Sequence, residues 1–400
     1  MSTIVDYART ARDGFAERPL GRVDALCLSW LAYLRFPEGL GIEERAGLRL
    51  LDLSVLGYTA QMTAPLHDAK ESALLFDALA ASPRFSQVRA CLHVSESSET
   101  EGMQFSATTF VLPDGAGSCV CYRGTDDTVL GWKENFHFAC AGAIPAQRRA
   151  VRYLEDAVSE LGGSFWACGH SKGGALAAYA AGMANDETRA QITACYSHDG
   201  PGLCPEITTD PAWHSDVPLD KTVPQESLVG MLFERSQSGL AVVRSTAEGV
   251  MQHAPFTWEV AGKDFVYEQG MSYDAWRMAQ RVNDWLEATP LEDREAFADL
   301  LAWLADATGE QSCSGLLRRW NSNSQAMRAA LAGAPAADRA LFDRVTDELV
   351  TTLVLGSAQE HARAEAGTRE ASDAAARRIE DLTARANDHF SKLDRLTGGR

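Results

Sequence analysis

The chain has 400 residues, 46% of them hydrophobic and 23% charged, which is ordinary globular composition with room for one large α/β domain plus helices, or for two domains. A formal net charge of −18 argues against nucleic-acid partners, whose recognition needs a basic face, and against adhesion to anionic lipid headgroups. The acidity serves solubility.

The N-terminal MSTIVDYARTARDGF carries no apolar core of signal-peptide length, and no window approaches the roughly 18 apolar residues of an integral membrane segment. Nine cysteines are scattered along the chain without a CxxC pair or a Cys/His cluster, so neither a zinc site nor any other metal site is expected. Reduced, buried thiols in a cytoplasmic protein are the expectation.

Residues 1–85 read as a helical N-terminal segment packing on a core; VDALCLSWLAYLRF (23–36) places apolar residues at i, i+3, i+4 and i+7. Residues 86–270 alternate strand-like runs with helical ones, as a catalytic core would. The strand-like runs are VRACLHV (88–94), MQFSATTFVL (103–112), GSCVCYRG (117–124), SFWACG (164–169), ITACYS (192–197), SLVGMLF (227–233) and LAVVRS (240–245). The early ones follow one another closely, as antiparallel hairpins do. From PAQRRAVRYLEDAVSEL (145–161), with Pro145 placed for a first helical turn, strand–helix–strand alternation implies a parallel sheet. Residues 271–357 read as a helical C-terminal segment, and 358–400, rich in Ala, Arg and Glu, as a charged exposed helix or tail. The fold class expected is α/β, with a mostly parallel central sheet flanked by helices.

GHSKGG (169–174) lies between the apolar run SFWAC and the helix-forming ALAAYAAGMA. It fits G-x-S-x-G, in which a serine sits on a tight strand-to-helix turn and glycines two positions either side spare the backbone a collision. Ser171 is therefore a candidate nucleophile; as a plain polar residue it would cap the following helix. One oxyanion donor would be the backbone N–H of Lys172. The second would come from the turn after an earlier core strand, and in CYRGTDDTVLGWKENF (121–136) the Arg-Gly-Thr turn offers the amide and hydroxyl of Thr125. Read alone, RGTDD would be an acidic surface turn.

RGT followed by a tryptophan, and then GHSKGG, resembles the class 3 lipases of the α/β-hydrolase fold. The stretches RGTDDTVLGWKENF, GHSKGGALAAYAA, SHDGPG (197–202), TVPQESLVGML (222–232) and VVRSTAEGVMQHAPFTW (242–258) resemble more closely a bacterial lipase-like family, the Mbeg-like proteins. The likeness spans roughly residues 20–355. It implies an α/β-hydrolase fold with helical N- and C-terminal additions and a serine hydrolase mechanism; it implies no substrate.

On this fold the triad runs Ser, acid, His. Of the histidines after Ser171, only His253 follows a β-rich run through a short turn, at Gly249, and it matches the catalytic histidine of the resembling families. His198, His214, His361 and His389 do not. For the acid, Asp199 opens the DGPG turn directly after ITACYS, where it would present a carboxylate at the C-terminal edge of the sheet. Class 3 lipases place the acid one strand later, where this chain offers Asp220 and Glu226; Glu226 is the alternative acid, and His198 reads as structural.

Lys172 stands where a bulky apolar residue or Gln is commoner in lipases. It would snorkel to solvent or, alternatively, favour substrates with an anionic group near the carbonyl. Residues 201–221 contain four prolines and no periodicity, so they read as a loop over the site with Trp213 and Leu219 as substrate-binding residues. The expected function is hydrolysis of small-molecule, lipid-like carboxylic esters through Ser171, Asp199 and His253, with no cofactor. The alternative is a non-catalytic protein that keeps the fold and binds a protein partner, or a second copy of itself, through the C-terminal helix.

Overall fold

The computed structural model describes residues 2–126, 128–140 and 142–355. The charged stretch 358–400, with the partner-binding role considered for it, lies outside the described residues. The described chain forms two compact units. Residues 2–126 and 142–276 make up the first, and residues 128–140 and 277–355 the second.

The first unit is built on an eight-stranded sheet whose spatial order follows the chain. The strands are β1 (Leu48–Arg49), β2 (Arg89–Ser98), β3 (Met103–Val111), β4 (Ser118–Tyr122), β5 (Phe165–His170), β6 (Ile192–His198), β7 (Leu219–Pro224) and β8 (Leu240–Val243). β1 to β4 pair antiparallel, and β4 to β8 pair parallel. The change occurs where short connections give way to the helices Pro145–Leu161 and Lys172–Met183, as parallel crossovers require. β4 and β5 are buried along their whole length, in keeping with their continuous apolar runs. This is the α/β-hydrolase fold with helical additions.

One stretch departs from the sequence reading. SLVGMLF is not a strand: β7 is the preceding LDKTVP, and Val229–Met231 forms a single 3₁₀ turn. Pro224 ends the ladder, and Gly230 lies so close to Asp199 that a Cβ there would be 2.3 Å from its carboxylate.

Helices Ile4–Thr10, Arg22–Leu31 and Ala69–Ala81 bury their apolar faces in the same core as the sheet. Their polar centre is Asp24, fully buried, which accepts from Arg84 Nε at 2.8 Å and Nη2 at 2.7 Å, and from Tyr7. A buried carboxylate is tolerated because a buried guanidinium meets it bidentately. Seven described cysteines are free and buried, and burial pushes the thiols of Cys27, Cys119, Cys121 and Cys195 up.

The second unit is helical. Val129–Cys140 is a helix that joins Leu291–Asp306, Trp320–Gly333 and Ala336–Leu355 in this unit. Phe297 packs on Phe342, and Arg344 grips Asp293 at 2.8 and 2.9 Å. No described helix is long and apolar enough to cross a membrane.

Candidate active site

β5 ends at His170, and the chain turns at Ser171 with φ 58° and ψ −134° before entering the helix Lys172–Met183. A residue with a Cβ is strained in this conformation and persists there only where its surroundings enforce it. The two flanking glycines are enforced by contact: a Cβ on Gly169 would lie 2.1 Å from the Gly173 carbonyl, and one on Gly173 would lie 2.1 Å from the Tyr122 oxygen. The Ser171 amide donates to His198 O at 2.9 Å, fixing the turn to the end of β6. The Ser171 side chain makes no capping hydrogen bond to its helix, so the capping alternative has no support in the geometry.

The end of β6 holds a second strained position, Asp199, at φ 48°. Its amide donates to Thr222 O on β7 at 2.7 Å, and its carboxylate is 1% exposed. Oδ2 lies 2.6 Å from His253 Nδ1, and Oδ1 accepts from the Ser227 hydroxyl, which itself accepts the Gly230 amide at 3.0 Å. Both carboxylate oxygens are thus engaged, one on the histidine and one on a side chain that stops rotation of the group. His253 closes the 3₁₀ segment Gly249–His253 and keeps 30% of its side chain open.

Glu226 does not touch His253. It follows β7 closely, as an acid one strand later would, but its Oε2 accepts the Gly249 amide at 2.5 Å and Gln252 Nε2 at 3.1 Å. Gln252 returns the bond, taking the Glu226 amide on Oε1 at 3.0 Å. Glu226 braces the loop that carries the histidine. Asp220 is elsewhere again, at the start of β7, paired with Arg22 at 2.8 and 2.9 Å.

Thr125 lies half-buried in the turn after β4, two residues beyond Arg123, whose amide donates to Ser106 O at 2.9 Å. Lys172 does not reach solvent. It is 3% exposed, and Nζ donates to Gln104 O at 3.0 Å, while Gln104 Oε1 takes the Asp126 amide at 3.4 Å. The lysine side chain therefore folds back onto β3 beside the RGT turn.

Trp213 and Leu219 are not brought to Ser171. Trp213 packs on Gly182, where a Cβ would meet its ring at 2.2 Å, and joins Tyr179, Cys204 and Ile207. Gly182 is about 16 Å along the helix from the elbow, at 1.5 Å per residue. The reason is topological. β7 runs parallel to β6, so the segment 201–221 must return to the opposite end of the sheet, and Leu219 emerges there beside Cys195, 52% exposed. Trp213→Ala is expected to lower stability by roughly 2 kcal/mol through lost packing. Turnover of short- and long-chain esters should change equally or not at all; urea unfolding and a two-substrate comparison check both.

Burial holds three histidines neutral: His170 and His198 are both pushed down to about 3, and His93 to about 4. The unfolded chain takes up these protons below pH ~6.5, whereas the folded one resists, so the stability they contribute is present above pH ~6.5 and lost as pH falls towards 4. Unfolding free energy is expected to fall as pH is lowered through that window, most steeply near its middle, where the unfolded histidines are protonated and the folded ones are not. Urea titrations at stepped pH measure the slope; a flat profile between pH 6.5 and 4 contradicts it. Among the described residues, no group of three or more His, Cys, Asp or Glu side chains is arranged to hold a metal ion.

The Mbeg1-like family profile matches residues 79–302, more than half of the chain and the span holding Ser171, Asp199 and His253. The chain belongs to the Mbeg1-like family. Among solved structures, the Rhizomucor miehei lipase–propeptide complex is similar at 13% identity and TM-score 0.33, over 60% of this chain and 80% of that one. A lipase from Rhizopus microsporus var. chinensis is similar at 13% identity and TM-score 0.29, over 58% of this chain and 96% of that one. No curated protein matches.

Neither Tyr33 nor His170, Ser227 or Gln252 figured as a site residue in the sequence reading, although all four touch the segments that carry Ser171, Asp199 and His253. Only His170, adjacent to the serine, had a signal there to find.

Proposed function

We propose that this Mbeg1-like chain is a serine hydrolase of carboxylic esters, with Ser171 as nucleophile, His253 as base and Asp199 as acid. The observation that carries the reading is the buried Asp199 carboxylate 2.6 Å from His253 Nδ1, standing one residue past β6 as Ser171 stands one residue past β5, both at positive φ. Two costly backbone conformations on adjacent parallel strands are retained where they serve chemistry.

Asp199 holds the His253 tautomer that leaves Nε2 free to act as base. Nε2 takes the Ser171 proton as Oγ bonds to the ester carbonyl carbon, and the carbonyl π electrons move onto oxygen. The backbone amides of Lys172 and Thr125 receive that oxyanion. As it collapses, the bond to the alcohol oxygen breaks and His253 gives the alcohol its proton. Water, deprotonated by the same nitrogen, then releases the acid and restores Ser171. The original serine proton leaves on the alcohol, and the proton taken from water passes through His253 to Ser171 Oγ, so enzyme residues and water complete the cycle without a cofactor.

The substrate we infer is an uncharged, lipid-like ester, because Lys172, next to the nucleophile in the chain, turns its ammonium to Gln104 O. The free buried thiols suit a reducing compartment, and we place the enzyme in the cytoplasm. A panel of p-nitrophenyl esters of graded acyl length tests the reading. Turnover by the native chain is expected; its absence across the panel counts against it.

A further inference from the structure

The site is carried by three separate segments: the RGT turn after β4, the elbow after β5 and the loop ending at His253. Each is a connection at the end of a strand, and a displacement of about 1 Å between them would cost on the order of 10²-fold in rate. One side chain from outside the family-matched span touches two of the three. Tyr33 follows the helix Arg22–Leu31 and is 7% exposed. Its hydroxyl lies 3.2 Å from His170 Nδ1 and 3.2 Å from His170 O, on the elbow. It also lies against Gly124, in the RGT turn. The fit is close enough that a Cβ on Gly124 would sit 2.0 Å from that hydroxyl.

His170 reaches the third segment. Its Nε2 lies 2.9 Å from His253 O, and its ring lies over the His253 ring, with centroids 4.7 Å apart and planes at 34°. A carbonyl oxygen can only accept, so Nε2 must carry a proton. Burial keeps the imidazole neutral, its pKa pushed down to about 3, so Nδ1 is bare and shares the single Tyr33 hydroxyl proton with His170 O, each 3.2 Å from the hydroxyl. One tautomer satisfies both neighbours. The tyrosine is itself fixed, stacked on Trp30 at 4.7 Å, and Trp30 Nε1 donates to Ser72 Oγ at 2.9 Å. Trp30 also packs edge-on against Phe256, three residues past His253.

We propose that Tyr33 and His170 form a positioning pair, joining the oxyanion turn, the nucleophile elbow and the general-base loop through the close packing of the Tyr33 hydroxyl on Gly124, its hydrogen bond to His170, and the bond from His170 to the His253 carbonyl. The proposal rests on the serine hydrolase reading for its effect on rate, but not for its geometry. On this view the N-terminal helices are part of the working site. Neither side chain needs to meet the substrate; both act through the residues they hold.

The test combines three variants of the full chain with one spectroscopic measurement. His170→Phe keeps a ring of similar size but loses the donor; His170→Gln restores an N–H that reaches the His253 carbonyl; Tyr33→Phe removes the hydroxyl alone. Kinetics are read on p-nitrophenyl butyrate well below each variant's Tm. His170→Phe should lower kcat on the order of 10²-fold with KM little changed, and His170→Gln should recover most of that loss. Tyr33→Phe should lower kcat by about tenfold, the effect of one hydrogen bond. Independently of activity, ¹⁵N spectra of histidine-labelled native protein at pH 7 should show His170 as the Nε2–H tautomer, with Tyr33→Phe shifting its Nδ1 resonance. Native kcat in His170→Phe, a loss confined to KM, or an Nδ1–H tautomer would each overturn the proposal. Should His170→Phe fail to fold, Tyr33→Phe and the spectra decide alone. If the native chain hydrolyses no ester yet shows the stated tautomer and shift, the hydrolase reading fails while the pairing of the three segments stands.

Discussion

Ser171→Ala is expected to lower kcat for ester hydrolysis by about 10⁶-fold, the scale on which loss of a nucleophile disables a triad whose members act as a unit. The remaining groups cannot compensate, since a base and an oxyanion hole without an attacking oxygen only orient the ester. Folding should be nearly untouched. Alanine keeps the Cβ that makes φ 58° costly, so the strain is the same in both chains, and the serine hydroxyl caps nothing. A Tm within the ordinary range of a surface substitution is therefore expected. Thermal melts together with p-nitrophenyl ester assays check both halves, and native turnover from this variant would remove Ser171 from the mechanism.

Asp199→Asn is expected to lower kcat by about 10⁴-fold. The amide can occupy the carboxylate's place, and asparagine tolerates positive φ, so the backbone at φ 48° should hold. What changes is the proton pattern. With an Nδ2–H facing His253 Nδ1, the ring is favoured with its proton on Nε2, the nitrogen that must receive the serine proton. Glu226→Gln is the informative contrast. Glutamine keeps an oxygen to accept from Gly249 and Gln252, so the loop stays braced and kcat should fall by less than about tenfold. A crippled Glu226→Gln beside a mild Asp199→Asn would move the acid to the position after β7.

The elements that proved legible in the sequence are those where one local rule leaves little choice. SFWACGHSKGGALAAYAAGM couples a buried strand, two glycines and an alanine-rich helix, and only a strand–elbow–helix satisfies all three. Asp199 was favoured over Glu226 because it stands directly at a strand end, and that adjacency is what brings its carboxylate to His253. Legibility failed where position depends on the return path of the chain. Trp213 and Leu219 are apolar residues in a proline-rich segment, a pattern shared by a substrate flap and by a connection packing on the scaffold; the parallel register of β6 and β7 selects the second. SLVGMLF has strand composition but follows Pro224 and contains Gly230, which Asp199 needs at close range. Tyr33 was hidden for another reason. Its helix reads as amphipathic, and periodicity assigns it to the core without telling that its hydroxyl meets the elbow 137 residues later.

Covalent labelling tests the central claim most directly. A fluorophosphonate reacts with an activated serine and leaves a phosphonyl adduct on its oxygen, whatever ester the protein takes in the cell. The native chain, incubated with the probe and digested, is expected to carry a single adduct on the peptide containing Ser171. Labelling should be lost in Ser171→Ala and strongly slowed in His253→Ala. A native chain that stays unlabelled under conditions that modify a known serine esterase, or one labelled equally in Ser171→Ala, would contradict the assignment of Ser171 as an activated nucleophile.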